Sequence, residues 1–80
     1  MMPNNAEYRR SLELLRETFP GRAYLTITET AQALNVSGKT VERMVRRVKD
    51  PIPAHKVAGC NRVPVTGLAE WAARRGLIGG

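Results

Sequence analysis

Tyr8, Leu12, Leu15 and Phe19 recur at steps of four, three and four residues, which places them on one stripe of a helix. Arg9, Arg10, Glu13, Arg16 and Glu17 cover its other faces. This helix is expected to start near Ala6, capped by Asn4 or Asn5, and to end at Pro20-Gly21. A second helix is expected from Ile27, because Thr26 and Glu29 have the spacing of a capping box, and Ala31 and Leu34 fall on one face. Asn35 suits the left-handed residue that ends a helix, and Val36 is expected to plug the corner that follows. Ser37 then caps a third helix from Gly38 to about Val48, with Val41, Met44, Val45 and Val48 as its core stripe. Two helices joined by so short a corner describe a helix-turn-helix.

The remaining pattern adds a hairpin and one more helix. Tyr24-Leu25 supplies a short strand or packs beneath the second helix. Lys49-Asp50-Pro51-Ile52-Pro53 stops the third helix, since its prolines cannot continue it. His55-Lys56-Val57 reads as a strand and Ala58-Gly59-Cys60-Asn61 as a turn, with Gly59 and Asn61 able to take positive φ. Arg62-Val63-Pro64-Val65 is the return strand, and Pro64 must face an unpaired edge because it has no N–H to donate. Thr66 is expected to cap a last helix with Leu68, Trp71 and Ala72 inward, ended by Arg74-Arg75-Gly76. The fold class expected is therefore mainly α with a small β-hairpin: a winged helix-turn-helix preceded by an extra helix. Residues 1–24 form a leader and amphipathic helix, 25–75 the winged domain and 76–80 a loose tail.

Charge gives this pattern a direction. The net charge is +6 with a sequence pI near 10.5. Cations and acids number four against three over residues 1–24, five against three over 25–50, and four against one over 51–80. The excess therefore lies in the winged part and its tail, an electrostatic footprint suited to nucleic acid. At 42% hydrophobic and 25% charged, the chain has enough apolar surface to fold, with a small core. No apolar run approaches membrane length, and the Met1 region lacks the charged start and apolar stretch of a signal peptide, so a cytoplasmic protein is expected. The single cysteine, Cys60, cannot form an internal disulfide.

Catalytic chemistry finds little support. His55 and Cys60 are the only residues of their kinds, too few for a His/Cys metal site, and both fall on one open hairpin without an enclosing pocket. No glycine-rich phosphate loop is present. No enzyme activity, metal, cofactor, small-molecule substrate or membrane partner is expected. DNA binding has a direct physical account. The N-terminus of the third helix offers free N–H groups and the positive end of a dipole, with the hydroxyls of Ser37 and Thr40 beside it. Lys39, Arg43 and Glu42 are expected at base edges, and Arg46 and Arg47 nearer the backbone. Lys56, Asn61 and Arg62 are expected on the wing, beside a neighbouring minor groove. A rival reading from another class is a protein-interaction module working through the Tyr8–Phe19 helix.

The ordered series Leu25-Thr26-Ile27, Ala31, Leu34, Val36-Ser37, Thr40-Val41 and Arg46, then Pro53-Ala54-His55-Lys56-Val57, Gly59, Arg62 and Leu68-Ala69-Glu70-Trp71, resembles the DNA-binding domains of phage excisionases and MerR-like winged-helix proteins. The resemblance covers residues 25–73 and departs at Cys60-Asn61, where such proteins often carry further Arg or Lys. It implies a recombination directionality factor: a protein that binds and bends double-stranded attachment-site DNA and steers a phage integrase toward excision in the bacterial host cytoplasm. MerR-type regulators add a long dimerisation helix and an effector domain, and neither fits after residue 73. A small phage or prophage transcriptional regulator is the alternative. With one recognition helix per chain, specificity is expected to come from neighbouring copies bound to adjacent sites.

Overall fold

A computed structural model describes residues 5–76. The element order is α1 (Asn5–Thr18), β1 (Tyr24–Leu25), α2 (Ile27–Leu34), α3 (Gly38–Arg46), β2 (His55–Val57), β3 (Cys60–Pro64) and α4 (Val65–Arg75). The molecule is mainly helical, with an antiparallel three-stranded sheet in the order β1-β3-β2. This is a winged helix-turn-helix with β2 and β3 as the wing. The polar leader, a cap at Asn4 and the tail from Leu77 lie outside the described residues. Asn5 is the first helical residue and not a cap before it.

The core forms where α4 meets α1, the sheet and the helix-turn-helix. Trp71, Leu68, Leu25, Val63, Val41 and Ile52 have 1% exposure or less. Leu15 and Phe19 are buried, and Tyr8 and Leu12 are half-buried against the same cluster. The apolar stripe of α1 is thus consumed by packing, chiefly on α4. That placement removes the stripe as a free partner surface. Both helices bury small residues, Ser11 on α1 and Ala69, Ala72 and Ala73 on α4, which lets backbones approach closely.

The sheet explains the position of Pro64. Val65 N–H donates to the carbonyl of Ala23 (2.9 Å), so the ladder bonds to β1 flank Pro64, which lies opposite Tyr24. The ring nitrogen of Pro64 therefore points to the other side, past the end of β2, where the last pair is His55 with Arg62. Pro64 does face an unpaired edge. It also occupies the N-cap position of α4, with no side-chain cap bond. The expected cap at Thr66 is not used, because the helix already begins at Val65, with Pro64 at the N-cap. The Ala23 carbonyl takes the first helical N–H, the role a capping side chain would otherwise fill. Gly67 completes this corner: a Cβ there would lie 3.0 Å from Pro64 Cγ and 3.2 Å from Pro53 Cβ. At the other end Gly76, at φ 66°, closes α4 with a left-handed residue as expected.

Two predictions follow from the packing and the caps. Trp71→Ala removes the largest buried side chain and should cost about 3–5 kcal/mol; chemical denaturation would measure it, and an unchanged midpoint would mean that α4 is not docked. The second concerns acid. The Glu29 carboxyl is held below its ordinary range, first by the Thr26 N–H and then, against some desolvation, by Arg22. The Asp50 carboxyl is also lowered: partial desolvation raises it, but the hydrogen bond from Arg75 and the charges of Arg74 and Arg75 outweigh that. Groups depressed in the folded state stabilise fully above their unfolded pKa, about 4, and the stabilisation is lost as pH falls through the lower folded values. Tm should therefore hold from neutrality to about pH 5 and fall below about pH 4, with a shallower fall in Glu29→Gln. An identical acid profile in that variant would exclude Glu29 as a source.

Candidate nucleic-acid interface

The corner between α2 and α3 is built from backbone and caps. Thr26 Oγ1 accepts from Glu29 N–H (3.1 Å), and Glu29 Oε1 accepts from Thr26 N–H (2.9 Å), so the capping box is complete. Arg22 grips the same carboxylate with both terminal nitrogens, at 2.6 and 2.8 Å. Asn35 takes the left-handed conformation at φ 57°. Its N–H bonds to Gln32 O and that of Val36 to Ala31 O, which closes the end of α2. Val36 therefore serves the corner through its backbone. Its side chain is 37% exposed and does not plug the corner as expected.

The start of α3 is capped as expected: Ser37 Oγ accepts from Thr40 N–H (3.2 Å). The Ser37 and Thr40 hydroxyls also bond to each other at 2.8 Å. One proton is used between them, so the pair retains one for an acceptor beyond the helix. Val41 is wholly buried and sets the rotation of α3 about its axis. At 100° per residue, Lys39, Arg43 and Arg46 then lie opposite Val41, and Glu42 flanks them. All four side chains are exposed. Met44 and Val45 are half-buried on either side of Val41.

The far end of α3 departs from expectation. The helix stops at Arg46; Arg47 is already extended (φ −62°, ψ 144°), and Val48 is 98% exposed. Val48 is therefore not core, and Arg47 stands on a loop outside the helix. The cause lies in tertiary contacts. Ile52 is 1% exposed, and its N–H bonds back to Met44 O at 3.2 Å, so the chain must turn early to bury it. Asp50 makes that turn at φ 49°, a conformation a short polar side chain tolerates. Its carbonyl accepts from Trp71 Nε1 (3.0 Å), its Oδ1 accepts from Arg74 (3.2 Å), and its Oδ2 accepts from Arg75. The Arg75 guanidinium also lies 4.6 Å from the Trp71 ring centre. Asp50 lies in the stretch expected only to stop the third helix. Its signal was faint: a lone acid after Lys49, in reach of a basic helix end only once the chain is folded.

The wing turns in two residues, Ala58 (φ 52°) and Gly59 (φ 82°), both left-handed as a tight hairpin requires. Asn61, expected in the turn and able to take positive φ, is instead a strand residue paired with Lys56. Strand alternation divides the three wing candidates. Asn61 and Lys56 share the sheet face of Val63 and Leu25, the face that packs on the helices. Arg62 emerges on the opposite face with His55, Val57 and Tyr24, and its Nη1 bonds to the Asn61 carbonyl at 3.1 Å. On that outer face His55 meets the Tyr24 ring edge-on at 6.3 Å, and Cys60 is an exposed free thiol. Among the described residues, no group of three or more His, Cys, Asp or Glu could hold a metal ion. No helix among them is long and apolar enough to cross a membrane.

The site thus combines one exposed cationic helix face, a hydroxyl pair at its N-terminus, and a wing that presents Lys56 and Asn61. Comparison with known proteins bears on the fold that carries it. No curated protein and no solved structure matches the chain. A family model described as a helix-turn-helix domain matches residues 24–76, from β1 through the end of α4. With more than half of its length covered by that model, the chain belongs to the helix-turn-helix domain family.

Proposed function

We propose that the protein binds double-stranded DNA, with α3 in the major groove and the wing beside the adjacent minor groove. The observation that carries this reading is the solvent face of α3, where Lys39, Arg43 and Arg46 lie together opposite buried Val41 in a helix-turn-helix chain of net charge +6. A duplex presents regularly spaced phosphates to cations and base edges to a helix in its major groove. Arg43 and Lys39 act at base edges: Arg can hold guanine through two bonds, and Glu42 can accept from cytosine N4–H. Arg46 contacts backbone, and Arg47 does so from the loop after the helix. The remaining hydroxyl proton of the Ser37–Thr40 pair donates to phosphate near the α3 N-terminus. Lys56 and Asn61 make the wing contact. Arg62, on the other face of the hairpin, is left out of this surface.

The biological role proposed is that of an excisionase, a non-enzymatic factor that bends attachment-site DNA and directs an integrase toward excision, in a bacterial cytoplasm. Its support is the ordered resemblance over residues 25–73. One recognition helix discriminates through few side chains, so neighbouring copies on adjacent sites supply the remaining specificity. A winged domain of residues 25–75 carries the DNA contact, with α1 as its packed support. DNA bending and stimulation of an integrase test this role; a tight dimer on a single palindrome, without either effect, would replace it with transcriptional regulation.

Two measurements test the interface. Log affinity for duplex DNA should fall linearly with log salt, with a slope of about −0.9 per phosphate neutralised; a flat response would remove DNA as the ligand. On a selected site, Arg43→Ala should cost about 1–3 kcal/mol and relax base preference. Loss of affinity without loss of preference would move Arg43 from the bases to the backbone.

A further inference from the structure

Two shallow grooves meet at Gly21-Arg22-Ala23-Tyr24, the segment that joins α1 to the sheet. One, of about 390 Å³, continues past Arg16 to Pro64 and Thr66. The other, of about 350 Å³, runs along the outer sheet face to Val57 and Arg62. Tyr24 borders both. It is 44% exposed and Val57 is 48% exposed, two of the few large apolar side chains that the fold leaves open. Strand alternation puts both outward, because Leu25 and Val63 take the inward positions. Arg16, Arg22 and Arg62 line these grooves, and no Asp or Glu does. The Arg22 charge is neutralised by Glu29, but Arg16 and Arg62, on either side of Tyr24, form no ion pair among the described residues.

We propose that this outer face docks an acidic segment of a partner protein, with an aliphatic or aromatic residue seated between Tyr24 and Val57 and carboxylates on Arg16 and Arg62. Charge complementarity fixes the sign of the occupant, and exposed apolar area beside the cations fixes its mixed character. A DNA duplex fits this face poorly. It would meet the two arginines with phosphates but leave Tyr24 and Val57 against a polar backbone, because its bases are stacked inside. The residues that line the two grooves come from α1, the segment before β1, the sheet and the start of α4, and none from α3, so an occupant there leaves the α3 surface open.

The test starts from short random peptides displayed and selected against the full chain. Selected peptides should carry acidic residues around one large apolar residue. The synthetic peptide, titrated into isotopically labelled protein, should shift backbone resonances at Gly21 to Tyr24, Val57 and Arg62 and leave those of α3 in place. Tyr24→Ala and Arg16→Glu should each weaken the peptide about tenfold or more, the usual effect of losing an anchor from a small interface, while thermal melting shows both variants folded. No acidic enrichment, no binders at all, resonance shifts elsewhere, or unchanged affinity in both folded variants would each overturn the proposal. So would a random-sequence DNA duplex that shifts the same outer-face resonances, which would reassign the surface to nucleic acid.

Discussion

The contact on which the architecture depends is the one between Trp71 and Asp50. The indole fills the centre of a small core, and its N–H must find an acceptor there because an unpaired buried donor is costly. The Asp50 carbonyl provides one only if the chain leaves α3 early and turns through a left-handed residue. That turn buries Ile52, ends α3 at Arg46, and directs the chain into the wing. The Asp50 carboxylate then holds Arg74 and Arg75, and Arg75 covers the indole face. The ion pairs are solvent-exposed and contribute little singly; their effect is to hold the α4 end over the loop. One hydrogen bond and one buried ring thereby join the last helix to the end of α3.

A second constraint is economy of scale. So few residues cannot spare a separate layer for each task. β1 has only two residues, yet it pairs with β3, seats Leu25 in the core, and supplies, through Ala23, the acceptor for the first N–H of α4. Glu29 caps α2 and also receives Arg22 from the preceding loop. Val41 fills the core and fixes which side of α3 meets solvent. Because each residue serves two elements, the cationic face and the wing are held in one mutual arrangement without a large interior. The outer sheet face is open surface among the described residues, with Tyr24 and Val57 exposed on it.

Local rules legible in the residues account for most elements. The Thr26–Glu29 spacing, the left-handed Asn35, the Ser37 cap, the turn-bearing Gly59 and the closing Gly76 each depend on a few neighbouring residues, so short-range chemistry determined them. The helical stripes of α1 and α4 were legible for the same reason: periodicity is a property of a single helix. The basic face of α3 was legible too, because Val41 and Met44 define its opposite side. What lay outside local chemistry went differently. The end of α3 falls short of Val48 because Ile52, beyond the turn at Asp50, takes the place in the core. Thr66 is passed over as a cap because Ala23, distant in sequence, supplies the acceptor.

The wing shows the same division. That a hairpin forms there follows from the residues themselves, with Gly59 at the turn and β-branched Val57 and Val63 on the arms. Which side each arm residue takes depends on register, and register depends on the turn being Ala58-Gly59 and on Leu25 and Val63 competing for the same core. A shift of one residue would exchange the faces. The sequence by itself determined the elements, their caps and the charged face of α3, because these are set by neighbours along the chain. Only the tertiary structure decided that Arg62 parts from Lys56 and Asn61, and that Asp50 joins the end of α3 to α4. Both depend on which distant side chains win the limited interior of a small domain.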